Sequence, residues 1–123
     1  MAAVEAGKPF NLEKPITLTA EEADILAKAA QEKNVKNMVC FSYRFKAAAR
    51  YAKDLIAQGK IGRVYHVNMQ YFQAWGLPRA NCPLVWRYVK SRTGTGALGD
   101  LGSHALDLVR FVTNKEYTRV VGH

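Results

Sequence analysis

The sequence predicts an α/β fold that passes into an α+β arrangement, because helical and extended segments alternate along its 123 residues. Three observations lead to this prediction. A helix start signal at Thr19 opens an apolar pattern of helical period. Short apolar runs lie on both sides of this helix, and the second, 36–43, is typical of a buried strand with a parallel neighbour. An alternating run at 64–72 indicates a further sheet strand with one polar face.

The N-terminal third of the chain predicts a helix end, a strand and a helix. Residues 2–7 are mostly small and apolar and end at Gly7, a residue type that commonly follows the last turn of a helix. Residues 8–12 are predicted to form a short strand before Pro15, which cannot donate a ladder hydrogen bond. Thr19 forms a capping box with Glu22 and starts a helix that runs to about residue 33. A chain that opens on the last turn of a helix is expected to lack the segment before it.

The rest of the chain predicts two more helices and two more strands. A helix is expected from Lys46 to Gln58, followed by the strand at 64–72 and an irregular loop over residues 74–93. A last helix is predicted from Gly96 to about Thr113, and residues 119–123 resemble a strand that is cut short. Both ends of the chain are therefore expected to be severed.

Composition and cysteine spacing exclude several classes of protein. Hydrophobic residues make up 49% and charged residues 23% of the chain, as in soluble globular proteins. No apolar run approaches the ~20 residues that span a bilayer, and the N-terminus does not resemble a signal peptide, so a cytoplasmic protein without a membrane partner is predicted. Cys40 and Cys82 lie far apart with no further ligand at a suitable spacing, so neither a metal site nor a disulfide is expected.

The basic charge raises the alternative of nucleic-acid binding. Eighteen Lys and Arg against ten Asp and Glu give a net charge of +8. These residues are scattered, with no run of five and no recognition motif, so no specific nucleic-acid partner is predicted. A basic surface equally favours a phosphorylated cofactor or an anionic substrate.

The segment around His104 carries the strongest local signal for chemistry. Asp100, His104 and Asp107 occupy positions i, i+4 and i+7, so a helix places two carboxylates beside one imidazole. Histidine suits proton transfer near neutral pH, and a neighbouring carboxylate is expected to stabilise its protonated form and fix its ring. The alternative is an imidazole and a carboxylate that satisfy one another on a solvated helix face.

Other residue patterns are weaker signals. Lys14 follows a strand, where ligands usually bind in α/β sheets, but an exposed loop lysine is the competing interpretation. Gly94–Gly99 fits G-x-G-x-x-G without a strand leading into it, so a flexible lead into the helix is preferred to a dinucleotide site. Arg44 and Arg87 each follow an aromatic residue and are expected either to clamp an anion or to stack on a ring. His66 is interpreted as a surface or interface residue.

Taken in order, these segments resemble the glucose-fructose oxidoreductase, inositol dehydrogenase and rhizopine-catabolism family (Gfo/Idh/MocA). The resemblance runs along essentially the whole chain. Its motifs are Ala6-Gly7-Lys8 leading to Glu13-Lys14-Pro15, then 19–30, 41–45, 56–62, Trp86-Arg87 and 96–104. It implies that residues 1–43 are the end of a Rossmann-like dinucleotide-binding domain. Residues 44–123 would then begin an α+β substrate domain with an antiparallel sheet.

The resemblance also implies a reaction and a set of site residues. Lys14, Asp100 and His104 would be the catalytic residues of an NAD- or NADP-dependent dehydrogenase that acts on a sugar or polyol. Cofactor contacts would come from Glu13, Lys14, Pro15, Trp86 and Arg87. His104 would take the hydroxyl proton, Lys14 would hold that hydroxyl, and Asp100 would orient the substrate and support His104. A homo-oligomer formed through the second-domain sheet is expected.

Two departures from the family pattern limit what this chain is expected to do. The strand and Gly-rich phosphate turn that begin family members are absent, and Ser42 stands where many relatives carry Asn. We therefore expect a fragment that is inactive alone. The alternative is a non-catalytic remnant that kept the fold and serves as a binding or scaffold protein.

Overall fold

The computed structural model describes residues 1–122, and no helix among them is long and apolar enough to cross a membrane. Five helices and two strands make up its main elements. In chain order they are α1 (Ala2–Glu5), β1 (Phe10–Leu12), α2 (Ala20–Glu32), β2 (Asn37–Val39), α3 (Ala47–Ala57), α4 (Lys90–Thr93) and α5 (Ser103–Thr113). Short 3-10 turns lie at Ser42–Phe45, Pro78–Ala80 and Trp86–Tyr88.

The two strands form a parallel pair joined through α2. Phe10 lies opposite Asn37 and Leu12 opposite Val39. Thr19 caps α2 by accepting a hydrogen bond from the Glu22 backbone N–H at 3.2 Å, as predicted. The Glu22 carboxylate reaches back one residue further than expected, to the backbone N–H of Leu18. Helix α2 thus begins at its predicted cap, and the parallel pairing confirms the α/β character of this part.

Helices α3 and α5 pack together, and an ion pair fixes the segment between β2 and α3 against them. The Arg44 guanidinium donates from Nε to Asp107 Oδ2 at 2.8 Å and also bonds the other carboxylate oxygen. Asp107 is 5% exposed, and Arg44 lies over the rings of Phe41 and Phe111. The Arg44 guanidinium therefore binds a carboxylate within the chain and stacks on aromatic rings.

Three of the predicted strands differ from the structure. Residues 63–73 have no regular secondary structure, so the strand expected at 64–72 and the antiparallel sheet built on it are not formed. Alternating polar and apolar residues are not enough to form a strand, because a strand also needs a hydrogen-bonded neighbour. The described residues supply no such neighbour at 64–72. The strand predicted at 36–43 is shorter and less buried, since the chain turns at Ser42–Phe45. Residues 119–122 form no strand, and the remainder of that prediction, His123, lies outside the described residues.

The apolar core of the described residues is small. Val4 in α1, Ala30 in α2 and Val35 just before β2 are its buried hydrophobic residues. By contrast, many large apolar side chains are exposed, including five that are at least 79% exposed: Tyr65, Phe72, Leu84, Val120 and Val121. Exposed apolar area of this extent usually marks a surface that another part or partner covers.

The Arg44–Asp107 pair should contribute more to stability than an exposed pair of the same chemistry. We expect Asp107→Asn to lower the free energy of unfolding by about 1–3 kcal/mol, because the buried carboxylate and its bidentate bonds are lost. The measurement is urea unfolding followed by circular dichroism. Glu116→Gln is the matched control, since the Arg110–Glu116 pair is exposed and should contribute little. Equal losses in both variants would contradict this prediction.

Candidate active site

An ion pair between Lys14 and Asp100 joins the loop after β1 to the segment that leads into α5. Lys14 Nζ donates to Asp100 Oδ1 at 2.7 Å and also to the main-chain carbonyl of Asp100. The two side chains are 12% and 24% exposed, so water competes only weakly for the pair. Arg87 Nε lies 3.6 Å from the same carboxylate oxygen, which gives Asp100 two cationic neighbours.

The glycine-rich segment before α5 brings Asp100 to this position. Gly94 and Gly96 have positive φ angles of 68° and 53°, a conformation that glycine adopts without steric cost. Residues 98–102 then form a single π-helical turn before α5, a feature frequently found at functional sites. A side chain at Gly99 would collide with the Thr95 hydroxyl. The glycines thus allow a tight lead into the helix, and no strand precedes them as a dinucleotide turn requires.

His104 lies among aromatic rings rather than between two carboxylates. The rings of Phe41, Tyr43 and Tyr71 meet the imidazole edge-on at centroid distances of 6.1, 4.6 and 6.4 Å. Its Nδ1 atom is buried without a hydrogen-bond partner. Among the described residues no carboxylate hydrogen-bonds to the imidazole to fix its ring as expected, because Asp107 binds Arg44 and Asp100 binds Lys14.

The same surroundings lower the pKa of His104 below its ordinary value of 6.5. Burial is the largest cause, because it disfavours the charged imidazolium, and the positive charge of Lys14 acts in the same direction. The carboxylates of Asp100, Asp107 and Glu13 oppose this shift without reversing it. The imidazole is therefore neutral at pH 7 and able to accept a proton.

Two cavities meet at the Lys14–Asp100 pair. The larger cavity, of about 500 Å³, is lined by Glu13, Lys14, Pro15, Trp86, Arg87 and Asp100, together with residues 16–18, Glu22, Arg92, Thr93, Thr95, Gly96 and Gly99. The smaller cavity, of about 340 Å³, is lined by Lys14, Tyr43, Tyr71, Gln73, Trp75 and His104, with Arg87 and Asp100. Lys14, Arg87 and Asp100 belong to both. The structure therefore brings every residue predicted for the site to one of these two cavities.

Sequence reasoning missed one wall of the smaller cavity. Tyr71, Gln73 and Trp75 lie on or just after the segment at 64–72, and the sequence predicts no site role for them or for Tyr43. The alternation of 64–72 placed Tyr71 on an apolar face, where it gave no signal of a site. His66 is exposed and lines neither the larger nor the smaller cavity.

Comparisons with known proteins agree on one family. The sequence model described as the GFO/IDH/MocA C-terminal domain matches residues 49–123. Levoglucosan dehydrogenase of Pseudarthrobacter phenanthrenivorans is 41% identical over 115 residues, which are 94% of this chain and 29% of the relative. The NADP+-dependent scyllo-inositol 2-dehydrogenase of Bacillus subtilis is 37% identical over 107 residues, which are 87% and 28% of the two chains.

The fold agrees as well. A structure of levoglucosan dehydrogenase in complex with NADH and levoglucosan superposes with a TM-score of 0.83 at 42% identity. The superposition covers 90% of this chain and 30% of that one. The chain thus spans about 30% of the length of the relatives that it matches.

The charge of Lys14 should be measurable at His104. We expect Lys14→Met to raise the pKa of His104 towards its ordinary value, because a nearby positive charge is removed. Histidine ring signals in an NMR pH titration give this value directly. Lys53→Met is the matched control, since Lys53 lies over the ring of Phe111 and is not among the charges that shift His104. An unchanged value in Lys14→Met would contradict the proximity of the two groups.

The lowered pKa of His104 determines how the free energy of unfolding changes with pH. Between the folded value and the unfolded value near 6.5, the unfolded chain binds more protons at His104 than the folded chain does. The free energy of unfolding should therefore fall as the pH drops below about 6.5 and through the folded pKa. His104→Gln should remove this part of the pH dependence in urea unfolding curves, and an unchanged profile would contradict it.

Proposed function

Since the chain belongs to the GFO/IDH/MocA family, we propose that it is a piece of an NAD(P)-dependent dehydrogenase that acts on a sugar or polyol hydroxyl. The observation that carries this proposal is the meeting of Lys14, Asp100 and His104 at two adjoining cavities. A remnant kept only for its fold has no physical need for a lysine, a carboxylate and a neutral imidazole at one place.

The larger cavity fits the nicotinamide end of such a cofactor. Its volume of about 500 Å³ is within the range of small-molecule sites, and most of its exposed lining is apolar. Pro15, Trp86 and Gly99 leave flat or open wall for a planar ring, while Glu13, Lys14 and Arg87 supply polar groups. These residues would hold the nicotinamide ring, and the chemistry supplied by the cofactor would be hydride transfer from or to the substrate carbon.

In this proposal the side chains of the smaller cavity accept the hydroxyl proton of the substrate and stabilise the negative charge on the reacting oxygen. As the C–H bond of the substrate breaks, the hydroxyl proton passes to the neutral imidazole of His104, and the C–O bond becomes a carbonyl. Lys14 would hold the reacting oxygen and stabilise the negative charge that develops on it. Asp100 would orient a neighbouring hydroxyl, and it already fixes the Lys14 ammonium. Burial of His104 keeps it unprotonated at pH 7, the state that a general base requires.

We also propose that the chain is a fragment of a two-domain protein. Residues 1–43 would close a Rossmann-like domain, and residues 44–123 would open the substrate domain, whose sheet would pair the segment at 64–72. The exposed apolar side chains of Tyr65, Phe72 and Val120 support this, because the rest of the parent protein would cover them. A cytoplasmic location and a homo-oligomer formed through that sheet belong to the same proposal.

The isolated chain should not bind nicotinamide nucleotides measurably. Its larger cavity holds one end of the cofactor at most, so too little of the ligand is buried to offset its loss of freedom. Fluorescence titration of the purified chain with NADH and NADPH tests this. Binding with a dissociation constant in the micromolar range would show that the Gly-rich half is not needed.

A graft tests the catalytic assignment. The 123 residues replace the matching segment of the Pseudarthrobacter levoglucosan dehydrogenase, and oxidation of levoglucosan is followed by formation of reduced cofactor. We expect the graft to be active and His104→Ala to lower its kcat about 100-fold or more, with cofactor affinity little changed. His66→Ala is the control, because that side chain is exposed and lies outside both cavities. An inactive but folded graft would favour the scaffold alternative, and full activity of His104→Ala would remove His104 from the mechanism.

A further inference from the structure

A chain of hydrogen bonds runs along the wall of the smaller cavity, apart from the Lys14–Asp100 pair. The indole N–H of Trp75 donates to the amide oxygen of Gln73. The amide nitrogen of Gln73 donates to the Tyr71 hydroxyl at 2.6 Å. The hydroxyls of Tyr71 and Tyr43 are hydrogen-bonded to each other. This chain joins four side chains that all line the cavity containing His104.

The donor inventory of these groups sets the direction of the first two bonds and is consistent with one direction for the third. An indole nitrogen can only donate, so it must meet the oxygen of the Gln73 amide, and the amide nitrogen is left to face Tyr71. The Tyr71 oxygen therefore accepts a hydrogen from Gln73, and its own hydrogen is free to be donated to Tyr43. If Tyr71 donates to Tyr43, the Tyr43 oxygen accepts, and the Tyr43 hydrogen is left without a partner in this series of bonds.

We propose that Tyr71 is a positioning residue, which holds the Tyr43 hydroxyl as a hydrogen-bond donor to an oxygen of the sugar or polyol bound in the smaller cavity. This inference rests on the proposed function and adds one requirement to it: the ligand must place a hydrogen-bond acceptor next to the Tyr43 hydroxyl. A ring, acetal or carbonyl oxygen of the ligand satisfies it, since such an oxygen accepts without needing to donate. A ligand that places only a C–H group there would leave the Tyr43 hydroxyl unsatisfied.

The two tyrosine rings also enclose the imidazole that the proposed mechanism uses. The ring of Tyr43 lies edge-on to His104 at 4.6 Å with an interplanar angle of 87°, and it meets the ring of Tyr71 at 5.5 Å. Because His104 Nδ1 has no hydrogen-bond partner, aromatic packing is what orients the imidazole. Exchange of either tyrosine for phenylalanine keeps this packing and removes only the hydroxyl.

The acidity of Tyr71 agrees with this direction. Its pKa is raised above 10.0, chiefly by the hydrogen bond with Tyr43 and then by burial, while the Gln73 bond acts in the opposite sense. A phenol that donates its hydrogen is stabilised in its protonated form, and one that accepts a hydrogen is stabilised as a phenolate. Tyr71 therefore keeps its proton at neutral pH.

The direction of the chain can be tested without any ligand. The pKa of Tyr71 is measured in the full 123-residue chain by NMR of ¹³C-labelled tyrosine, with the signal assigned through its loss in Tyr71→Phe. We expect Tyr43→Phe to lower the pKa of Tyr71 and Gln73→Leu to raise it, each by about 0.5. Tyr65→Phe is the matched control, because Tyr65 is 84% exposed and should have no effect. An upward change in Tyr43→Phe would show that Tyr43 donates to Tyr71 and would overturn the proposal.

The ligand role is tested by titrating the same variants with levoglucosan and following the NMR shifts of His104. We expect Tyr43→Phe to weaken binding about tenfold and Tyr71→Phe about threefold, with the double variant no weaker than Tyr43→Phe alone. A Tyr43→Phe affinity equal to that of Tyr65→Phe, additive losses, or no levoglucosan shifts in the unaltered chain would each overturn the ligand role. An inactive graft would instead contradict the proposed function, so the two failures are distinguishable.

Discussion

The ion pair between Lys14 and Asp100 spans 86 residues of sequence, and the candidate site depends on it. It is the contact that fastens the loop after β1 to the turn before α5. Without it, the larger and the smaller cavity would lose the wall that they share. Because both side chains are mostly buried, breaking the pair by removing one partner would leave a poorly solvated charge, so the pair helps to hold the loop in place.

The carboxylates near His104 are bound to other side chains, and burial is the main influence on the charge state of the imidazole. Asp107 binds Arg44 and stabilises the packing around α5, while Asp100 binds Lys14. The imidazole is left among aromatic rings, where burial favours its neutral form. Asp100 and Asp107 thus each form an ion pair with another residue, and neither binds the imidazole of His104.

Local signals could be predicted from the sequence, whereas contacts between distant residues could not. The Thr19 cap, the periodic apolar pattern of α3 and the Gly-rich lead into α5 depend on neighbours within a few positions, and the structure has them. The strand at 64–72 needs a partner strand, which a pattern within one segment does not supply. Two other contacts likewise have no local signal in the sequence. Arg44 and Asp107 are 63 residues apart, and Tyr43 and Tyr71 are 28 residues apart.

The most direct measurement of the central contact is a double-mutant cycle on unfolding free energy, with Lys14→Met, Asp100→Asn and the combined variant. If the two side chains bind each other as described, the sum of the two single losses in unfolding free energy will exceed the loss in the combined variant by about 1 kcal/mol. Strictly additive losses would mean that Lys14 and Asp100 do not interact. The loop after β1 and the turn before α5 would then not be joined by this pair into one site.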